Sequence, residues 1–218
     1  MHTTIEPKDA ALWTRLYLIT DDRGRSAGEL DRIVGAAIKG GITAIQFREK
    51  NTAPSQNEKS YAAIVQRCKD AGVPLLLNAD LLNRFELSQR FDGVHYSNRT
   101  LPLHPRTISL LAGFSAHAID DARAALKHGI SFYTLSPIFD TPTKFGILPP
   151  IGTAALQKAR TSLPKAPMVA LGGITLANAP ECIRAGADGV AVVRAIMDAS
   201  DPETAARALR SKIDEFVV

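Results

Sequence analysis

"PMVALGGITLANAPECIRAGADGVAVV" (167–193) contains one complete strand–helix–strand unit. "PMVALGG" (167–173) and "DGVAVV" (188–193) are short runs, apolar on both alternating faces, as expected of strands buried on both sides. Between them, 175–185 has helical spacing, and "AGADG" (185–189) supplies the glycines that stop a helix before the next strand. Short strands buried on both faces and alternating with amphipathic helices are the pattern of βα units in a parallel sheet.

The same unit recurs along the chain. The strand candidates are 15–20, 42–48, 74–78, 92–96, 110–115, 131–137, 167–173 and 188–193. Helix candidates fall at 27–39, 56–71, 81–90, 118–128, 152–162, 175–185 and 202–216, with the link from the fourth to the fifth strand too short for a full helix. Eight units in 218 residues predict one domain over 1–218, a single (β/α)8 TIM barrel, with residues 1–13 as an N-terminal extension. The competing architecture is an open, doubly wound sheet.

Hydrophobic residues make up 45% of the chain, enough for a sizeable core. The net charge of +4 is spread over segments where Lys and Arg alternate with Asp and Glu, which suits a small anionic substrate and gives no basic block for nucleic acid. The two cysteines, Cys68 and Cys182, lie in helix candidates without metal-ligand spacing and are expected to be reduced and buried. No apolar run is long enough to span a membrane, and the start lacks a charged segment followed by an apolar one; a cytoplasmic protein is expected.

In a barrel of this type, chemistry gathers at the C-terminal ends of the strands. In "IQFREK" (45–50), alternation sends Ile45 and Phe47 to the helices and Gln46 and Arg48 into the barrel mouth. A cation there requires an anion, so Arg48 and Lys50 are candidate phosphate ligands; pairing of Arg48 with Glu49 is the competing reading. Gly172 and Gly173, at a strand end and reading as the opening of a helix, let backbone N–H groups approach a phosphate, with the end of strand eight beside them. A tight turn and nothing more is the alternative.

"GFSAH" (113–117) places Ser115 and His117 at the mouth: the histidine can move protons near neutral pH, and the serine can orient a substrate atom. His117 competes as a helix-start residue bonded only to backbone. "SPIFDTPTKFGILPPIG" (136–152) is the longest irregular stretch, and Thr141, Thr143 and Lys144 in it are suited to wrapping a phosphate or diphosphate.

"LYLITD" (16–21), "QFREK" (46–50), "LLLN" (75–78), "DGVHY" (92–96), "GFSAH" (113–117), "SPIFDTPTK" (136–144), "ALGGIT" (170–175) and "GADGVAVVRAI" (186–196) occur in the order and spacing of the thiamine phosphate synthase/TenI superfamily. The chain resembles that superfamily over nearly its whole length. The resemblance implies a single barrel, small phosphorylated thiazole or pyrimidine substrates, a possible homodimer, and neither nucleic acid nor membrane as partner. In the synthase branch, hydroxymethylpyrimidine diphosphate loses diphosphate and the resulting carbocation is captured by the nitrogen of a thiazole phosphate. By motif match, Gln46, Arg48, Lys50, Asn78, Thr141, Thr143 and Lys144 line the pyrimidine and diphosphate side. Gly172, Gly173, Val193 and Arg194 hold the thiazole phosphate, and Ser115 lies near the pyrimidine.

The chain departs from the synthase pattern at the two magnesium-binding aspartates, where it has Ala79 and Thr100. Asp80 is a substitute by register, but period two turns it to the face opposite position 79. Arg194 stands where synthases more usually have a small residue. The TenI-type tautomerases need no metal and use a histidine at the position of His117, although synthases often carry one there too. The expectation is therefore a metal-independent tautomerase that aromatises a carboxythiazole phosphate with His117 as acid/base and no cofactor. The alternatives are a magnesium-dependent thiamine phosphate synthase with an altered metal site, and a non-catalytic barrel that binds a thiamine precursor as a regulator.

Overall fold

The computed structural model describes residues 13–216 apart from 22, 24, 50–53, 85–90, 104–110 and 142–147, and omits the side chains of 54–57 and 84. Eight parallel strands close a barrel in sequence order: β1 (Leu16–Ile19), β2 (Ala44–Phe47), β3 (Leu75–Asn78), β4 (Gly93–Tyr96), β5 (Leu111–Ala116), β6 (Phe132–Leu135), β7 (Met168–Leu171) and β8 (Gly189–Val192), with β8 paired to β1. The fold is the (β/α)8 barrel, and closure removes the open-sheet alternative.

The helices are α1 (Ala27–Lys39), α2 (Pro54–Ala71), α3 (Ile119–Lys127), α4 (Thr153–Ser162), α5 (Ala179–Arg184), α6 (Arg194–Met197) and α7 (Pro202–Asp214). α1 begins at Ser26, whose side chain accepts the Glu29 N–H, and buries Leu30, Ile33, Val34 and Ala37, the spacing of one helical face. α7 begins at Asp201, which accepts from the backbone of Glu203 and Thr204.

Two expectations are corrected and one helix is added. The helix expected at 81–90 is a 3-10 helix over Ala79–Arg84, the remainder lying outside the described residues. The helix expected at 175–185 contracts to α5, because Thr175 and Asn178 bond each other's backbone N–H and hold 174–178 as a turn. α6, absent from the sequence reading, follows β8 directly.

Strand alternation sorts the core. Outward residues such as Leu16, Leu18, Ile45, Phe47, Leu75, Leu77 and Val94 pack with the helices, while Tyr17, Ile19, Ala44, Leu76, Leu111, Phe132, Val169 and Ala191 fill the barrel. A repeated device closes its floor. The side chain just before each even strand accepts a backbone N–H at the start of the preceding odd one: Thr43 from Leu16 (2.9 Å), Asp92 from Leu75 (2.8 Å), Ser131 from Ala112 (3.1 Å) and Asp188 from Met168 (2.7 Å). The twin "DGV" motifs at 92–94 and 188–190 are thus one solution used twice. A Cβ on Gly93 or Gly189 would lie 2.1 Å from a backbone oxygen, so neither site admits a side chain.

Cys68 and Cys182 are both buried and unbridged. Among the described residues no helix is long and apolar enough to cross a membrane.

Candidate active site

A cavity of about 590 Å³ opens at the C-terminal ends of the strands, within the range of small-molecule sites. Of the sequence candidates, Gln46, Arg48, Asn78, Ser115, His117, Thr141, Gly172, Gly173, Val193 and Arg194 all line it. Lys50, Thr143 and Lys144 lie outside the described residues.

The end of β3 corrects the reading of the metal positions. Leu76 faces the barrel interior and Asn78 lines the cavity; just past the strand end, in the first turn of the 3-10 helix, Asp80 lines the cavity as well, while Ala79, 3% exposed, packs outward among the helix-facing core residues. Turning away from position 79 therefore means turning toward the cavity. Asp80 Oδ1 lies 2.5 Å from Arg99 Nη2, the carboxylate side chain 15% exposed and the arginine 78%. Thr100 also lines the cavity, its hydroxyl accepting the Ser97 N–H at 2.9 Å.

Magnesium sites commonly use one or two carboxylates, with waters and substrate phosphates completing the shell. Asp80, with Thr100 on the same wall, fits a cation completed by a substrate's own phosphate oxygens. It does not fit one held by protein alone, since no group of three or more His, Cys, Asp or Glu able to hold a metal occurs among the described residues.

A chain of side chains crosses the cavity floor from β3 to β5. Asn78 Oδ1 accepts the Asp80 N–H (3.1 Å), Asn78 Nδ2 donates to Gln46 Oε1 (3.1 Å), and Gln46 Nε2 donates to the Tyr17 hydroxyl (3.2 Å). The Tyr17 hydroxyl lies 3.3 Å from His95 Nδ1, and His95 Nε2 lies 3.0 Å from Ser115 Oγ. Burial pushes the Tyr17 phenol far above its ordinary range, against a smaller opposing effect of the Gln46 hydrogen bond, so it remains a neutral O–H. The sequence reading assigned no role to Tyr17 or His95. Alternation would have found both, since Tyr17 falls between the outward Leu16 and Leu18, and His95 between the outward Val94 and Tyr96.

At His117 the backbone and the ring are engaged separately. Asp121 Oδ2 accepts the backbone N–H of His117 and Ala118, each at 3.0 Å, and so starts α3. The ring is independent of that cap, with Nδ1 2.8 Å from the Ser136 carbonyl oxygen. A carbonyl only accepts, so the neutral ring carries its hydrogen on Nδ1 and keeps the Nε2 lone pair for other use.

After β7, Gly172 and Gly173 take φ of 102° and 65°. A Cβ would lie 2.7 Å from Pro137 Cα at the first and 2.4 Å from the Asp140 carbonyl oxygen at the second, so close packing of the next loop demands glycine at both. The pair sits in a loop five residues ahead of α5, correcting the expectation that it opens a helix. That loop is anchored: Ile138 N–H donates to Leu171 O (2.9 Å) and Phe139 N–H to Gly172 O (3.0 Å). Val193 precedes α6, and Arg194 Nη2 donates to Thr141 Oγ1 at 3.3 Å, tying the eighth strand end to the loop after β6. Arg194 thus lines the cavity.

Residues 16–196 match the family model described as thiamine monophosphate synthase. The thiamine-phosphate synthase of Chloroflexus aurantiacus is 40% identical over 203 residues, covering 91% of this chain and 92% of that protein. The corresponding protein of Albidiferax ferrireducens is 36% identical over 208 residues, covering 92% of each. The solved structure of thiamine phosphate pyrophosphorylase from Pyrococcus furiosus superposes with a TM-score of 0.79 at 28% identity, over 96% of this chain and 100% of that one. On its motifs, its barrel and these likenesses, the chain belongs to the thiamine phosphate synthase/TenI superfamily.

Proposed function

We propose that this protein is a cytoplasmic, single-domain thiamine-phosphate synthase that joins hydroxymethylpyrimidine diphosphate to a thiazole phosphate. The observation that carries the reading is one cavity with two separate binding walls: Arg48 at the end of β2 for an anion, with Asp80 just past β3 placed for a bridging cation, and the glycine pair with Arg194 at the ends of β7 and β8 for a second anion. A tautomerase of one phosphorylated thiazole needs only the second. Relatives named thiamine-phosphate synthase support the same choice. Ala79 and Thr100, which favoured a tautomerase when read alone, lose weight because Asp80 lines the cavity.

In this mechanism the pyrimidine lies on the floor against Asn78 and Ser115. Its diphosphate lies toward Arg48, with Lys50, Thr143 and Lys144 as further ligands from the motif match. The thiazole phosphate takes backbone N–H groups of Gly172, Gly173 and Val193, and the Arg194 guanidinium. The C–O bond to diphosphate breaks with its electron pair leaving on oxygen, and the thiazole nitrogen lone pair then forms the C–N bond. A magnesium ion at Asp80 would neutralise charge on the leaving diphosphate. The side chains hold the two heterocycles in line and keep water from the cation.

Purified protein given both substrates and magnesium should form thiamine phosphate and release diphosphate. No product at high enzyme and magnesium would remove the reading, and calorimetric binding without turnover by any assay would leave the regulatory barrel.

The second reading, a TenI-type tautomerase, is favoured by His117, whose bond to the Ser136 carbonyl leaves Nε2 as a base at the cavity. Tautomerisation of carboxythiazole phosphate that survives EDTA and is abolished in His117→Ala would support it. Wild-type turnover in that variant would end the role of His117.

A further inference from the structure

We propose that the hydrogen-bond chain across the cavity floor runs in one direction, and that Tyr17 and His95 are positioning residues that hold Ser115 as a hydrogen-bond donor to the bound heterocycle. The direction follows from one group whose polarity is beyond dispute. The Asp80 backbone N–H can only donate, so the Asn78 atom it meets is the carbonyl oxygen, and the Asn78 amide nitrogen faces Gln46. Gln46 must then present its oxygen to Asn78 and its nitrogen to Tyr17. The Tyr17 oxygen accepts that bond, and its one hydrogen remains to be placed.

Tyr17 is 0% exposed, and the other polar atom against its hydroxyl among the described residues is His95 Nδ1. The phenol therefore donates to Nδ1, which must be the unprotonated nitrogen. His95, 2% exposed, then carries its hydrogen on Nε2 and donates it to Ser115 Oγ. Ser115, with one lone pair engaged by His95, turns its own hydrogen toward the cavity that it lines.

Reversing His95, or protonating both its nitrogens, would put two hydrogens between Tyr17 and the ring or bury the phenol hydrogen unbonded. That disfavours such states by about tenfold or more. The ring position is itself built in: a Cβ on Gly113 would lie 2.5 Å from His95 Nδ1, so the glycine of "GFSAH" makes room for the imidazole.

The ligand group that fits is an acceptor with an in-plane lone pair, such as a ring nitrogen of a neutral heteroaromatic. The identity of that ligand rests on the synthase reading; the direction of the chain does not. Histidine-labelled protein, examined by two-bond ¹H–¹⁵N correlation without substrate near neutral pH, should show His95 as the Nε2–H tautomer, its signals assigned by their loss in His95→Gln. In Tyr17→Phe the Nδ1 resonance should move toward that of an unbonded pyridine-type nitrogen. An Nδ1–H tautomer or an imidazolium in the wild type, or an unmoved Nδ1 resonance in Tyr17→Phe, overturns the proposal.

Affinity for hydroxymethylpyrimidine diphosphate should fall about tenfold in Ser115→Ala and not fall further when Tyr17→Phe is added. Fully additive losses would show that Tyr17 does not act through Ser115. If the wild type fails to bind this compound, the synthase reading falls, and the substrate-free spectra still decide the direction of the chain.

Discussion

Replacing Asp80 by Asn separates a structural carboxylate from a functional one. The Asp80 backbone N–H survives the change, so the floor chain that begins there is kept. What is lost is the negative charge and its ion pair with Arg99. Because Arg99 is 78% exposed, solvent screens that pair, and its loss should cost less than about 1 kcal/mol. For a chain of this size that lowers Tm by no more than about 4 °C. If Asp80 is the carboxylate that helps neutralise a departing diphosphate, losing about 3–4 kcal/mol of transition-state stabilisation lowers kcat by about 10²–10³. The assay is thiamine phosphate formation against magnesium concentration, with Tm from calorimetry on the same samples. A kcat within about threefold of wild type and an unchanged magnesium profile would refute the role argued for Asp80. A fall in Tm corresponding to several kcal/mol would show instead that the carboxylate is structural.

Gly173→Ala forces a Cβ against the Asp140 carbonyl oxygen at a positive φ; a stability loss of about 1–3 kcal/mol is expected, with weaker binding of thiazole phosphate by calorimetry. Asp188→Ala removes the acceptor for the Met168 N–H and the partner of Arg160, and should cost about 2–3 kcal/mol in urea unfolding; a change near zero would discount the floor device. Burial pushes the Cys68 and Cys182 thiols from 9.0 up to about 12, with Asp92 and Glu181 adding smaller effects in the same direction. Between those values the unfolded chain releases protons that the folded chain keeps, so stability should fall as pH rises from about 9 to about 12, and the native thiols should resist Ellman's reagent until unfolding.

The barrel was legible because its signal is distributed. Each βα unit repeats an apolar strand, a glycine stop and an amphipathic helix, and no single misread boundary changes the count. Boundaries failed where side chains compete with the backbone for hydrogen bonds. Thr175 and Asn178 spend the first turn of an expected helix on each other, and residues 79–84 tighten into a 3-10 helix. At the cavity, strand-end motifs found the glycine pair, Arg48, Ser115 and His117, since these lie on loops and strand tips where a polar residue stands out. Tyr17 and His95 were overlooked because an aromatic residue inside an apolar strand reads as core.

The amino-acid sequence by itself determined the eightfold repeat, the superfamily and most of the residues at the barrel mouth, because these depend on periodicity and on short motifs. Which way a residue faces at the end of β3 depends on barrel closure. With β3 between β2 and β4, the pleat puts Leu76 and Asn78 inside, and the 3-10 turn that follows brings Asp80 to the cavity and packs Ala79 outside. The hydrogen-bond chain likewise joins residues from five strands that are distant in sequence. The direction proposed for it, from the Asp80 N–H to the Ser115 hydroxyl, depends on tertiary packing that buries Tyr17 and, among the described residues, leaves its proton one acceptor.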